Sequence, residues 1–136
     1  RLRTSSVFEP GDAFVVSTHL QHTDMDPRDP APEIGLSRLY RTARRFRWSG
    51  DCMNYALVCQ GRIDVALDPL MNPWDIAAVA LCVREAGGVV TSLGGDDDVV
   101  WKPNLVASAN PALHAKVIDL LRAGGSAPLG SLGQTP

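Results

Sequence analysis

Asn72-Pro73-Trp74-Asp75-Ile76-Ala77-Ala78-Val79-Ala80-Leu81-Cys82-Val83-Arg84-Glu85-Ala86-Gly87-Gly88 decides the fold class. Asn72 suits a helix N-cap, Pro73 carries the fixed φ wanted at the first helical position, and Asp75 falls in the first turn, where backbone N–H groups leave a partial positive charge. Ile76, Val79, Ala80 and Val83 recur at helical spacing and Gly87-Gly88 closes the helix. Upstream, Ile63, Val65 and Leu67 alternate with Asp64, Ala66 and Asp68, which is strand periodicity with carboxylates on the second face and Asp68 at the C-terminal end. Downstream, residues 89–93 read as another strand. Strand, helix and strand in succession predict an α/β domain, with a mixed sheet flanked by helices.

The rest of the chain fits this frame. Residues 13–18 are a short β-rich run after Pro10-Gly11-Asp12, and residues 4–8 are a second candidate strand. The Pro- and Asp-rich stretch 19–32 has no periodicity and reads as a loop. From Glu33, Leu36, Leu39, Tyr40, Ala43 and Phe46 step at helical spacing, predicting a surface helix that ends near Arg47. Asp51 can cap a further helix over 52–60, closed by Gly61, with Met53, Ala56, Leu57 and Gln60 on one face. Residues 94–98 form a charged turn and residues 105–108 a strand. Asn110-Pro111 opens a last helix with Leu113, Val117, Leu120 and Leu121 as its buried stripe. One domain is expected over 1–123, and the Gly/Ser/Pro-rich stretch 124–136 is expected to be a flexible tail.

Composition narrows the functional classes. The chain has 136 residues, enough for one core but short for an enzyme that must also enclose a substrate, so a missing partner domain is conceivable. Arg1 at the start, with no signal-peptide pattern, reads as a piece of something longer. A net charge of -2 predicts no bulk attraction to nucleic acid or anionic lipid. The arginines at 38, 41, 44, 45 and 47 are spread around their helix and are assigned to solvated surface or a subunit contact rather than to nucleic acid. No apolar run reaches membrane-spanning length. Cys52, Cys59 and Cys82 lack metal-ligand spacing and lie in apolar stretches, which predicts reduced core thiols in a cytoplasmic protein.

Three carboxylates are the candidates for chemistry: Asp51 at a helix start, Asp68 at a strand end and Asp75 in the first turn of the next helix. Such places bind phosphate or orient a carboxylate toward a metal ion, and Mg²⁺ takes one or two protein carboxylates and fills its shell with water and substrate oxygen. The competing reading of Asp75 is a complement to the helix dipole alone. His19-x-x-His22 with Asp24 and Asp26 has ligand-type side chains but no second pair to set a metal geometry. His114 is expected at the surface or as a cap.

Gly50-Asp51-Cys52, Asn54-Tyr55-Ala56-Leu57-Val58, Gly61-Arg62-Ile63-Asp64, Asp68, Asn72-Pro73-Trp74-Asp75-Ile76-Ala77-Ala78 and Glu85-Ala86-Gly87-Gly88-Val89 together resemble the C-terminal half of the inositol monophosphatase family. The resemblance runs from the strand at Ala13 to the helix ending near Leu121. Gly-Asp-Cys and the Pro before Trp-Asp are most similar to the histidinol-phosphate phosphatase branch. The resemblance implies the layered C-terminal domain of an inositol monophosphatase/fructose-bisphosphatase-like fold, in a homodimeric, Mg²⁺-dependent phosphomonoesterase. It implies that Asp75 is a metal ligand beside the leaving-group oxygen, and that Asp68 and Asp51 contact the organic part of the substrate. Their charge suits a cationic amine or imidazolium better than a neutral polyol. The expected substrate is therefore histidinol phosphate, with an inositol or related sugar phosphate as the alternative.

The departure from the family pattern bears on activity. The family builds most of its metal site from an upstream glutamate and an Asp-Pro-x-Asp-Gly-Thr segment, and this chain has no Asp-Gly or Gly-Thr dipeptide. Two metals must clamp the attacking and leaving oxygens, which one carboxylate cannot arrange. The chain alone is therefore expected to be inactive, either as the C-terminal part of an enzyme or as a non-catalytic remnant with an interaction role.

Overall fold

The structure is a computed structural model, and it describes residues 1–122. The 124–136 segment lies outside the described residues. Five strands, β1 (Phe14–Ser17), β2 (Arg45–Trp48), β3 (Val65–Asp68), β4 (Val89–Thr91) and β5 (Leu105–Ser108), form one sheet in the order β2-β1-β3-β5-β4. β1 pairs in parallel with β2 and with β3, while β5 runs antiparallel to both β3 and β4. The helices are α1 (Leu36–Thr42), α2 (Cys52–Cys59), α3 (Pro73–Glu85) and α4 (Pro111–Arg122). A single 3₁₀ turn at Pro10–Asp12 leads into β1. The expected mixed sheet flanked by helices is what the chain forms.

Alternation along the strands divides the core between the two faces of the sheet. Val15, Val65, Leu67 and Val106 pack with Leu36, Leu39, Leu113, Val117 and Leu121 of α1 and α4. Val16, Ala66, Val90, Leu105 and Ala107 pack with Tyr55, Val58, Ile76, Ala80 and Val83 of α2 and α3. All four residues of β3 are buried, because that strand lies in mid-sheet with helices on both sides. Burying a Val or Leu side chain contributes roughly 1.5–3 kcal/mol, so β3 anchors both layers. Asp64, just before it, serves the fold: its carboxylate accepts the Phe14 N–H at 2.7 Å and the Ser5 hydroxyl.

Gly88 shows how closely α3 returns to the sheet. A Cβ there would lie 2.7 Å from Val83 Cγ1 and 2.8 Å from the Ser108 carbonyl oxygen. Only glycine permits that approach between the end of the helix and β5.

Five expectations are corrected. The helix expected to run to Arg47 stops at Thr42, and Arg45–Trp48 is the edge strand β2. Residues 4–8 are not a strand; they run across the fold, with the Thr4 N–H donating to the Ala86 carbonyl and the Val7 carbonyl accepting from Asn110 Nδ2. On α2 the buried face carries Asn54, Tyr55, Val58 and Cys59, whereas Met53 is exposed. Of the three cysteines only Cys59 is a core thiol; Cys52 and Cys82 are exposed. His114 is buried, its Nε2 2.8 Å from Thr91 Oγ1 and its Nδ1 2.9 Å from Ser108 Oγ. Burial lowers its pKa to about 4, so the ring is neutral at pH 7.

Candidate active site

The carboxyl ends of three parallel strands meet at one edge of the sheet, which is where open α/β sheets form ligand crevices. Thr18 and His19 follow β1, a short turn after β2 leads to Asp51 and Cys52, and β3 ends on Asp68 itself. With Leu70, Met71 and Asp75 these residues line a cavity of about 210 Å³. The topology thus brings together Asp51, Asp68 and Asp75, the three carboxylates singled out from sequence.

Asp68 is only 3% exposed. Its Oδ2 accepts the Tyr55 hydroxyl at 2.9 Å, and its Oδ1 has no hydrogen-bond partner among the described residues. Burial raises its pKa; the hydroxyls of Thr18 and Tyr55 and the His19 ring pull the other way without reversing the shift, and Asp51 adds like-charge repulsion. Tyr55 is itself fully buried, and burial beside that carboxylate pushes its phenol well up. Asp68 therefore borders the cavity as a buried carboxylate, one oxygen fixed by Tyr55 and the other enclosed without a partner among the described residues.

Asp51 adopts φ 65°, ψ -156°. That combination is essentially restricted to glycine and costs other residues on the order of 1–3 kcal/mol. Its side chain makes no cap bond to α2. The turn is held instead by Thr18, whose Oγ1 accepts the Asp51 N–H at 3.4 Å and Asn54 Nδ2 at 3.3 Å. The expected capping role of Asp51 is therefore absent, while its carboxylate stands at the cavity.

Asp75 does cap: its Oδ2 accepts the Asn72 N–H at 3.0 Å at the start of α3. It is exposed and its side chain makes no other hydrogen bond among the described residues, so the carboxylate retains donor capacity for a hard cation. One carboxylate oxygen of this kind fits one position in an Mg²⁺ shell. Among the described residues no group of three or more His, Cys, Asp or Glu side chains is placed to hold a metal ion. The His19/His22/Asp24/Asp26 cluster is dispersed: Asp24 accepts the Ser37 N–H and hydroxyl at the start of α1, and Asp26 chelates Arg28 at 2.9 and 3.1 Å. His19 alone of that group reaches the cavity.

Sequence reasoning missed Thr18, His19 and Cys52 as cavity residues. Their available signal was position, immediately after a strand or a Gly-Asp turn, and it becomes decisive only once β1, β2 and β3 are known to be parallel.

Helices on both faces of a five-stranded mixed sheet, with an acidic crevice at the ends of its parallel strands, define a three-layer α/β domain. The inositol monophosphatase family model matches residues 1–126. The chain belongs to the inositol monophosphatase family. It is 41% identical over 93 residues to a histidinol-phosphatase of Mycobacterium tuberculosis, covering 67% of this chain and 33% of that protein. It is 35% identical over 117 residues to a histidinol-phosphatase of Chlorobaculum parvum, covering 86% of this chain and 43% of that protein. Other relatives are named SuhB and inositol-1-monophosphatase. The extragenic suppressor protein SuhB from Bartonella henselae superposes with a TM-score of 0.76 at 28% identity, over 91% of this chain and 47% of that structure. The chain thus spans less than half the length of these relatives.

Proposed function

We propose that the cavity is the substrate-alcohol side of a Mg²⁺-dependent phosphomonoesterase site, and that the substrate is histidinol phosphate. The observation that carries this reading is the convergence of Asp51, Asp68 and Asp75 in one cavity, with Asp68 buried and its Oδ1 unpartnered. Three carboxylates attract a cationic amine or imidazolium and offer less to a neutral polyol. Relatives named histidinol-phosphatase support the same choice. Relatives named inositol-1-monophosphatase keep an inositol or related sugar phosphate as the second reading.

Within the site the residues divide their work. Asp75 is the metal ligand this chain supplies, already oriented by its bond to the Asn72 N–H. When bound, Mg²⁺ would neutralise charge on the phosphoryl and leaving-group oxygens. Asp68, held by Tyr55, sets a negative potential toward the organic part of the substrate, and Asp51 adds negative charge beside it. Leu70 and Met71 give the cavity an apolar wall that limits water. Because the described residues assemble no complete metal site, the 136-residue chain alone is proposed to be inactive. The test joins the chain to an upstream segment carrying the family's metal-binding glutamate and Asp-Pro-x-Asp-Gly-Thr motif. Asp68→Asn should then reduce the ratio of kcat/KM for histidinol phosphate to that for inositol 1-phosphate. An unchanged ratio would refute the electrostatic basis of the substrate choice.

A further inference from the structure

The turn that carries Asp51 into the cavity is held by hydrogen bonds more than by packing. Residues 49–53 are exposed, and a Cβ added at Gly50 would meet nothing within 4 Å. Asn54, buried on α2, spends both amide hydrogens on this turn and its neighbour: Nδ2 donates to the Ser49 carbonyl at 2.9 Å and to Thr18 Oγ1 at 3.3 Å. Thr18 Oγ1 also accepts the Asp51 N–H at 3.4 Å, and the Ser49 N–H donates to the Ser17 carbonyl at 3.2 Å. Ser49, Asp51 and Asn54 are thereby tied to the end of β1.

Asp51 sits at φ 65°, ψ -156°, a conformation that a residue with a Cβ keeps only when its surroundings impose it. A flip of the Gly50–Asp51 peptide would take Asp51 to a relaxed negative φ, and it would turn the Asp51 N–H away from Thr18. The bond to Thr18 Oγ1 opposes that flip, and Asn54 fixes the oxygen that accepts it. We propose that Thr18 and Asn54 are positioning residues for Asp51: together they lock the turn in its strained form and so fix a negative charge that selects a cationic substrate. The lock depends only on the hydrogen bonds; its consequence for substrate choice rests on the function proposed above.

Urea unfolding of the 136-residue chain tests the lock through a double-mutant cycle. Thr18→Val keeps the branched shape and removes the acceptor oxygen, and in the wild-type background Asp51 then recovers part of the loss by relaxing. Asp51→Gly has no strain to release, so in that background nothing is recovered. Thr18→Val should therefore lower the folding equilibrium constant about tenfold more in the Asp51→Gly background than in wild type. In the Asp51→Ala background, where the charge is gone and the Cβ kept, Thr18→Val should cost what it costs in wild type. Asn54→Ala should show the same dependence on Asp51→Gly, and Thr18→Ser, which keeps the oxygen, should show none. Equal costs of Thr18→Val in the wild-type and Asp51→Gly backgrounds would overturn the lock. In the assembled phosphatase, the chain joined to the upstream metal-binding segment, Thr18→Val should raise KM for histidinol phosphate about threefold to tenfold, more than it lowers kcat. KM for inositol 1-phosphate should stay almost unchanged, and Thr18→Ser should restore the wild-type values. If Asp51→Asn alters the substrate preference and Thr18→Val does not, the positioning role is overturned while the substrate reading stands. If neither alters it, the substrate reading fails, and the unfolding cycle alone decides the lock.

Discussion

Replacing Asp51 by glycine should make the chain more stable. The backbone at this position, φ 65° and ψ -156°, is open to glycine and costs a residue with a Cβ about 1–3 kcal/mol. Glycine returns roughly 0.5–1 kcal/mol of that through the greater freedom of the unfolded chain. No side-chain cap bond is lost, and the N–H that reaches Thr18 Oγ1 is kept. The net gain should be about 0.5–2 kcal/mol, a rise of roughly 2–8 °C in Tm for a domain of this size. Urea and thermal unfolding of wild type, Asp51→Gly and Asp51→Ala would measure it. Alanine removes the charge but keeps the Cβ, so it should recover only the smaller part due to relieved repulsion with Asp68. If alanine stabilises as much as glycine, or glycine destabilises, the strain argument is wrong. In the assembled phosphatase the glycine variant should lose preference for a cationic substrate, the trade expected when strain is held at a functional site.

Tyr55→Phe keeps the ring and removes one hydrogen bond to a buried carboxylate, so it should cost about 1.5–3 kcal/mol at pH 7. Asp68 has a raised folded pKa, so its contribution is complete below its unfolded value and is lost as pH rises through the folded value. The cost of Tyr55→Phe should therefore shrink to about 1 kcal/mol in acid; an equal cost at both pH values would argue against a charge-assisted bond. His114 has the opposite sign. Its pKa falls from 6.5 to about 4, so the chain should lose up to about 3 kcal/mol as pH drops from 6.5 toward 4, and His114→Asn should lose that slope in urea unfolding. Gly88→Ala should destabilise by about 1–3 kcal/mol, since the new Cβ meets the Ser108 backbone carbonyl, and a neutral effect on the unfolding midpoint would show that α3 can shift.

The helix at Pro73–Glu85 and the strand before it were legible because caps, period and turn residues agree there. Residues 36–48 were not, because Phe46 fits both the helical spacing from Leu36 and the Arg45/Phe46/Arg47/Trp48 alternation of an edge strand. Parallel pairing of Arg45–Trp48 with β1 makes it a strand, and Phe46 packs in tilted contact with Tyr40 and Trp48, at 5.3 and 5.0 Å between ring centroids. His114 looked like a surface residue because its partners, Thr91 and Ser108, come from other strands. In the site, Asp51, Asp68 and Asp75 could be read from local position, whereas Thr18 and His19 depend on parallel pairing of β1 with β3, a contact between segments far apart in the chain.

Hydrolysis with and without the Asp75 carboxylate tests the account most directly. The chain should be joined to an upstream segment carrying the family's metal motifs, and kcat/KM for histidinol phosphate measured with Mg²⁺ for the wild type and Asp75→Asn, beside the 136-residue chain alone. Asparagine loses only about 0.3–1 kcal/mol of dipole interaction, so stability should change little. Activity should appear in the joined protein, fall by orders of magnitude in Asp75→Asn, and be absent from the chain alone. Full activity in Asp75→Asn, or turnover by the 136-residue chain that tracks the purified protein, would contradict the account.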